Sequence, residues 1–298
     1  MFKIVQSFDG QQNTFEIVHP LSGLQATINA TQGAALQSFK LSDQEIIGIP
    51  DGWRYLDCQA SGLLFPFANR IQHGRYSWNN KTYQLRINDS INGHAIHGLV
   101  YDQAFELVNT EVSEHSASIQ LAYYHDGALE AFPFPFKLQV EYIFNLEQLI
   151  MHWTVENLAQ QKLPYTWGWH PYFRILNKEQ MNLSIHAQDM FKHDATRIAC
   201  GKTGVTEELY FNWMEELDQC YSLNNGVIRW DALGKEWSMQ SAACNYVQLF
   251  STPDIPYLAI ELVSGPSNAF NSGEGLRSIE SKAFVTNSWQ LAWKDLNH

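Results

Sequence analysis

Residues 137–144 read Lys-Leu-Gln-Val-Glu-Tyr-Ile-Phe, with the apolar side chains Leu138, Val140, Tyr142 and Phe144 at every second position. Only Ile143 breaks the alternation. A period of two marks a strand with one buried face, because successive side chains point to opposite sides of the pleat. Leu146-Glu147-Gln148 offers a short turn, and residues 149–155 resume the extended pattern, so the two runs read as an antiparallel hairpin. Strand-length segments recur at 14–18, 24–30, 34–40, 80–87, 118–124, 183–188, 226–232, 245–251, 257–263 and 283–294. Turn formers separate most of them, as in Asp9-Gly10, Asn79-Asn80, Asn92-Gly93 and Asn224-Asn225-Gly226. The best helical window, around Thr206-Glu207-Glu208-Leu209, is short. Such a chain is expected to be all-β: a large antiparallel β-sandwich with under about 15% helix. A propeller would repeat every ~40–50 residues, and no such period is present. No Pro/Ser-rich linker divides the sequence, so residues 1–298 are expected to form one domain.

Composition supports a large core and narrows the partners. Hydrophobic residues make up 45% and aromatics 13% of the 298 residues, and the charged fraction is only 17%, which argues against disorder. Asp and Glu number 31 against 19 Lys and Arg, a net charge of −12 without a basic cluster, so nucleic acid is not an expected partner. No apolar run approaches the ~20 residues that span a bilayer, so no membrane partner is expected either. Met1 to Gln6 alternates like a strand rather than forming a signal peptide's apolar block, and the expected location is the cytoplasm. Cys58, Cys200, Cys220 and Cys244 are scattered, with no Cys-x-x-Cys, and are read as small hydrophobes rather than a disulfide or zinc framework.

Three stretches combine aromatics with polyol-binding groups. In the first, residues 65–76, Asn69 and Arg70 offer an amide beside a rigid donor fork, suited to vicinal hydroxyls; an ordinary turn with a solvated arginine is the competing reading. The second is Asn92-Gly93-His94-Ala95-Ile96-His97-Gly98. Two metal ligands would share a face, whereas strand positions three apart point to opposite faces, so one histidine is expected in a pocket and the other in a structural role. The third, residues 167–173, sets His170 among rings and a proline, where a dry environment fixes a tautomer and shifts a pKa. A core histidine with one backbone hydrogen bond is the alternative. Tryptophans beside a polar group also suit a sugar, whose C–H faces stack on rings. Asp218 and Glu261 are the carboxylates that stand out, and Glu261 interrupts an otherwise apolar strand, so it is either paired and buried or aimed into a site.

At these residues the chain resembles the aldose 1-epimerase (galactose mutarotase) superfamily, nearly end to end and in the family's motif order. Asn69-Arg70-Ile71 with Gly74 and Tyr76 resembles the Asn-Arg-Ile signature. Ala95-Ile96-His97-Gly98 and Gly168-Trp169-His170-Pro171-Tyr172-Phe173 resemble the two histidine motifs. Leu217-Asp218 with Tyr221, and Ala259-Ile260-Glu261 through Asn271, are similar to the aspartate segment and the late glutamate strand. The resemblance implies a β-sandwich with a sugar cleft and a sugar or sugar phosphate as ligand. It also implies His170 as general acid, His97 near the ring oxygen, Asn69, Arg70, Asp218 and Glu261 as binding groups, and no cofactor or metal. One departure matters. The family's general base is the glutamate of a Pro-Gly-Glu motif before the last strand, and the matching stretch here is Ser281-Lys282-Ala283. Ala283 stands where the base is expected, and a small gap would bring Glu280 into that role. Two further readings remain: a sugar-binding or sensing protein that lost the chemistry, and a glycoside hydrolase using Asp218 and Glu261 at ~5–9.5 Å. A carboxylate facing His170 in the cleft separates enzyme from binder.

Overall fold

The computed structural model describes residues 1–175, 181–205, 208–211 and 216–296. Among the described residues twenty strands join in one hydrogen-bonded sheet, and its strand pairs are antiparallel. Among the described residues the α-helices are the four-residue Tyr55–Cys58 and Ala269–Ser272. No described helix is long and apolar enough to cross a membrane. The hairpin is Phe136–Phe144 against Gln148–Asn157, in the register Val140 to Trp153, and its first strand buries every second residue. The helical window is corrected: Glu208–Tyr210 is a strand paired with 184–186, while Thr206 and Glu207 lie outside the described residues. Local helix preference gives way there to backbone pairing with an existing sheet edge.

The sheet doubles back because of one long strand, Leu217–Ala232. Its first part, 217–222, pairs with Tyr246–Ser251, and its last part, 227–232, pairs with Lys235–Gln240. Two layers grow from these halves. One continues through Phe284–Asp295 to the hairpin; the other runs through Tyr257–Val263 and Tyr172–Arg174 to the N-terminal strands. The layers close on an aromatic core in which Phe39 meets Phe144 and Trp293, and Trp289 donates its indole N–H to the Leu262 carbonyl at 3.0 Å. Burying several such rings supplies the main driving force for folding, roughly 25 cal/mol per Å² of apolar surface.

Alternation then fixes what the second layer shows on its other side. In Tyr257–Val263 all seven residues are buried, and Leu258, Ile260 and Leu262 belong to the main core. Ala259 and Glu261 therefore point away from that core. In the next strand Val247 and Leu249 face the core, which leaves Gln248 and Phe250 beside Glu261 and Ala259 in register. This polar outer face is the floor of the site.

Asn157, fully buried, fastens the turn before the last strand. Its side-chain amide donates to the carbonyls of Gln161, Ile279 and Glu280, and its side-chain oxygen accepts from the Ala159 N–H. Asn157→Ala leaves these groups unpaired and is expected to lower stability by about 2–4 kcal/mol in denaturant titration. Asn157→Asp is expected to be worse, because a carboxylate cannot donate to carbonyls.

Candidate functional site

A cavity of about 540 Å³ opens over this face, within the ~300–1,000 Å³ typical of small-molecule sites. Asn69, Arg70, His97, His170, Asp218 and Glu261 all line it. Glu280 does not: its side chain is 65% exposed and paired with Lys162 at 2.6 Å. Glu280 is therefore corrected from candidate base to surface ion pair, because its turn directs it to solvent. Ala283 also lies outside the cavity lining, and its carbonyl accepts the Asn157 N–H at 2.9 Å. Lys282 holds φ 62°, the left-handed conformation that glycine adopts most readily, so the turn keeps a glycine-like shape without a carboxylate.

The carboxylate facing His170 is Glu261. Its Oε1 lies 3.0 Å from His170 Nε2, with the two side chains 2% and 5% exposed, and its Oε2 has no hydrogen-bond partner among the described residues. His170 Nδ1 donates to the Gln59 carbonyl at 3.2 Å. A carbonyl only accepts, so Nδ1 carries a proton, and a second proton on Nε2 faces the carboxylate. Burial alone pulls the His170 pKa down, but the Glu261 charge and hydrogen bond, with the Gln59 carbonyl, outweigh it and the net shift is upward. The contact with Glu261 favours the protonated form of the His170 ring.

His97 differs. Its ring centroid is 4.7 Å from that of His170, its Nδ1 is buried without a partner among the described residues, and burial, then the His170 and Arg70 charges, hold its pKa well below the usual value. Burial thus favours the neutral form of His97, next to a His170 whose charged form is favoured. His94, three residues earlier, accepts the His73 N–H at Nδ1 and donates from Nε2 to the Thr196 carbonyl, so the two histidines do point apart. Gly98, at φ 82°, admits the chain here, since a Cβ would sit 2.2 Å from the Phe65 oxygen.

Hydrogen bonds knit the remaining groups together. Asn69 donates to Gln248 Oε1 at 3.3 Å, and Gln248 donates to Asp218 Oδ1 at 2.7 Å. Asp218 Oδ2 also meets Arg197 at 3.3 Å. Arg70 donates from Nε to Asp89 at 2.7 Å; burial pushes the Asp89 pKa up, but Arg70 and Asn92 bring it below its ordinary value. Gln248, Asp89 and Gln59 escaped the sequence reading. A buried glutamine among the apolar residues of 246–251 was the available signal for Gln248; Asp89 and Gln59 sit in turn and loop sequence that carries none. Of the cysteines, Cys58, Cys220 and Cys244 are buried, whereas Cys200 is exposed.

The outer face of a β-sandwich thus carries a cavity with a buried histidine–carboxylate pair among amides and further carboxylates. Comparison with known proteins gives the family directly: residues 13–272 match the aldose 1-epimerase model. The uncharacterised YphB protein of Escherichia coli K12 is 26% identical over 213 residues, 70% of this chain and 67% of YphB. A galactose mutarotase-like protein from Clostridium acetobutylicum superposes with a TM-score of 0.88 at 16% identity, over 99% of both chains. A galactose 1-epimerase from Lactobacillus acidophilus gives 0.81 at 14% identity, over 100% of this chain and 99% of that one. The chain belongs to the aldose 1-epimerase family.

The two histidines should separate in an NMR titration of the imidazole nitrogens. His170 is expected to lose its proton above the ordinary value of about 6.5, and His97 to stay neutral well below it. In Glu261→Gln, burial acts on His170 without the opposing charge, and its titration should fall below that value. Equal titration of His170 in both proteins would refute the ion-pair assignment.

Proposed function

We propose that this chain is an aldose 1-epimerase-type isomerase, with residues 1–298 acting as one domain, that interconverts the anomers of a hexose by acid–base ring opening. The observation that carries the reading is the 3.0 Å contact between His170 and Glu261 at the cavity floor, with the second Glu261 oxygen unpartnered. Anomer exchange needs a base for the anomeric hydroxyl proton and an acid for the ring oxygen. Both oxygens are bonded to C1, so an acid and a base in mutual contact suit them. Glu261 takes the proton from O1 at its free Oε2, the contact between Oε1 and His170 Nε2–H loosens as that charge is neutralised, Nε2 passes its proton to O5, and the ring opens to the aldehyde. Rotation about the C1–C2 bond presents the other face of the aldehyde. Closure reverses both transfers: neutral His170 accepts the O5 proton and Glu261 returns one to O1, restoring the starting charges.

His97, neutral and beside His170, serves as a hydrogen-bonding partner near the ring oxygen, while Asn69, Arg70 and Asp218 hold hydroxyls. The charge of the lining favours a sugar without phosphate. Asp57, Asp89, Asp218 and Glu261 line the cavity, and Arg70 already faces Asp89. A doubly charged phosphate would meet mostly carboxylates.

Polarimetry on freshly dissolved α-glucose and α-galactose tests the roles. Glu261→Gln and His170→Asn are each expected to lower kcat/KM about 10²–10⁴-fold while the fold is retained. The alkaline limb of kcat/KM should follow the raised His170 titration, since activity is lost as the acid deprotonates. Unchanged rates in a folded Glu261→Gln protein would remove the proposed base.

Ala283→Glu separates this assignment from the family's usual one. With Glu261 as base, the new carboxylate outside the cavity lining is expected to leave the rate within about twofold. A large increase would return the role of base to the turn before the last strand.

A further inference from the structure

Gln248 is 3% exposed in the cavity lining, stands opposite Glu261 in the strand register, and has both ends of its amide bonded. The ring opening gives it no part. The directions of its bonds are nonetheless forced from both sides. A backbone N–H only donates, so the Arg70 N–H, 2.8 Å from the Asn69 side chain, marks its partner there as the oxygen. Asn69 then turns its NH2 group to Gln248 at 3.3 Å, which makes the Gln248 atom it meets the oxygen. The Gln248 NH2 group is left for Asp218 at 2.7 Å, and an ionised carboxylate, which only accepts, fits that direction. Arg197 closes the chain on the other Asp218 oxygen. Asn69 and Arg197 hold φ values of 56° and 69°, so strained backbone stands at both ends of the chain. Neither amide bond of Gln248 goes to Glu261, whose Oε2 has no hydrogen-bond partner among the described residues.

We propose that Gln248 is a positioning residue for hexose binding: its amide holds Asn69 and Asp218 in a fixed orientation as partners for sugar hydroxyls, and takes no part in proton transfer. The proposal rests on the hydroxyl-binding roles of Asn69 and Asp218, and not on the assignment of His170 and Glu261 as acid and base. A methionine at 248 fills the space but leaves Asp218 Oδ1 and the Asn69 NH2 group without this partner. A glutamate there depends on its proton. Protonated, its O–H donates to Asp218 and its carbonyl oxygen accepts from Asn69, as the glutamine does. Ionised, it sets a charge against Asp218, with Glu261 on the next strand. Arg197, Arg70 and His170, the basic groups around this cluster, are already paired with Asp218, Asp89 and Glu261. Burial, outweighing the Asp218 charge, holds His193 below the usual value, so its neutral form is favoured. Burial and the Asp218 charge therefore raise the new carboxyl above the ordinary glutamate value of about 4.3.

Calorimetric titration and polarimetric kinetics with D-glucose and D-galactose, at about pH 5 and about pH 8, test this. Gln248→Met is expected to raise Kd and KM about tenfold at both pH values, while kcat stays within about threefold of the native enzyme. Gln248→Glu is expected to bind within about threefold of the native protein at the lower pH and at least about tenfold more weakly at the higher one. Each value is read as a ratio to the native protein at the same pH, which removes the titration of the native groups. A side chain that only fills space gives no such change of ratio. Native affinity in Gln248→Met, a Gln248→Glu ratio equal at both pH values, or a fall in kcat with KM unchanged would overturn the proposal. Should Gln248→Glu fail to fold, the split between KM and kcat in Gln248→Met decides alone. Binding that follows these patterns without mutarotation would remove the acid–base reading and leave the positioning role. Native mutarotation with Gln248 variants that bind as the native protein does would do the reverse, and a native protein that binds neither sugar would overturn both.

Discussion

A carboxylate on a strand buried along its whole length must be neutralised or paired, and the site is arranged around that requirement. An ionised Glu261 alone in its position would be unfavourable by several kcal/mol. His170 supplies the counter-charge and is itself buried, so removing either partner strands the other, typically at about 3–5 kcal/mol. The backbone is shaped to allow the contact. Gly168 lies opposite both Leu64 and Val263, and a Cβ there would come within 2.5 Å of the Val263 side chain. Two residues later the chain passes between Gly62, whose carbonyl accepts the His170 N–H, and Ser61, whose N–H is accepted by the His170 carbonyl. The imidazole is thereby held from its backbone and from Nδ1 before Glu261 engages Nε2.

Three non-glycine residues of the cavity lining, Gln59, Asn69 and His97, hold φ values of 47°, 56° and 65°. Each conformation costs on the order of 1–3 kcal/mol and persists only where its surroundings enforce it. Here those surroundings are the site itself. The Gln59 carbonyl accepts from His170, Asn69 donates to Gln248, and the His97 N–H is accepted by the Asn69 carbonyl. The strain and the functional geometry share the same bonds.

Much of this was legible in the sequence, for physical reasons that also explain the gaps. The hairpin at 136–157 announces itself because one face of its first strand is buried and the other is not, which writes a period of two into the residues. Glu106–Val112 carries no such period, since all seven residues are exposed at a sheet edge. The strands at 163–165, 168–169 and 172–174 are too short to show one. At the site, His97, His170, Asn69, Arg70, Asp218 and Glu261 lie in motifs with local signatures. Gln248 and Asp89 acquire their meaning from partners far away in the chain. Glu280 shows the complementary weakness: its place in the sequence fits a base, but the direction of its side chain depends on a turn fixed by Asn157, more than a hundred residues earlier.

That turn also separates shape from chemistry. Its bonds run between backbone groups and the side chains of Asn157, Ser281 and Lys282, and none needs a carboxylate at position 283. The acid–base roles proposed for His170 and Glu261 gain from being adjacent in a way that more distant groups would not. While Glu261 is ionised, its charge keeps the proton on His170 against the pull of burial. In the proposed reaction Glu261 loses that charge on taking the anomeric proton, burial is then opposed only by the backbone contacts at Gln59 and Cys58, and the imidazolium becomes a stronger acid as the ring oxygen needs a proton. On closure the order reverses, because a neutral His170 that takes up the O5 proton favours release of the proton on Glu261. Each transfer prepares the next, and the low exposure of both side chains keeps water from screening the coupling.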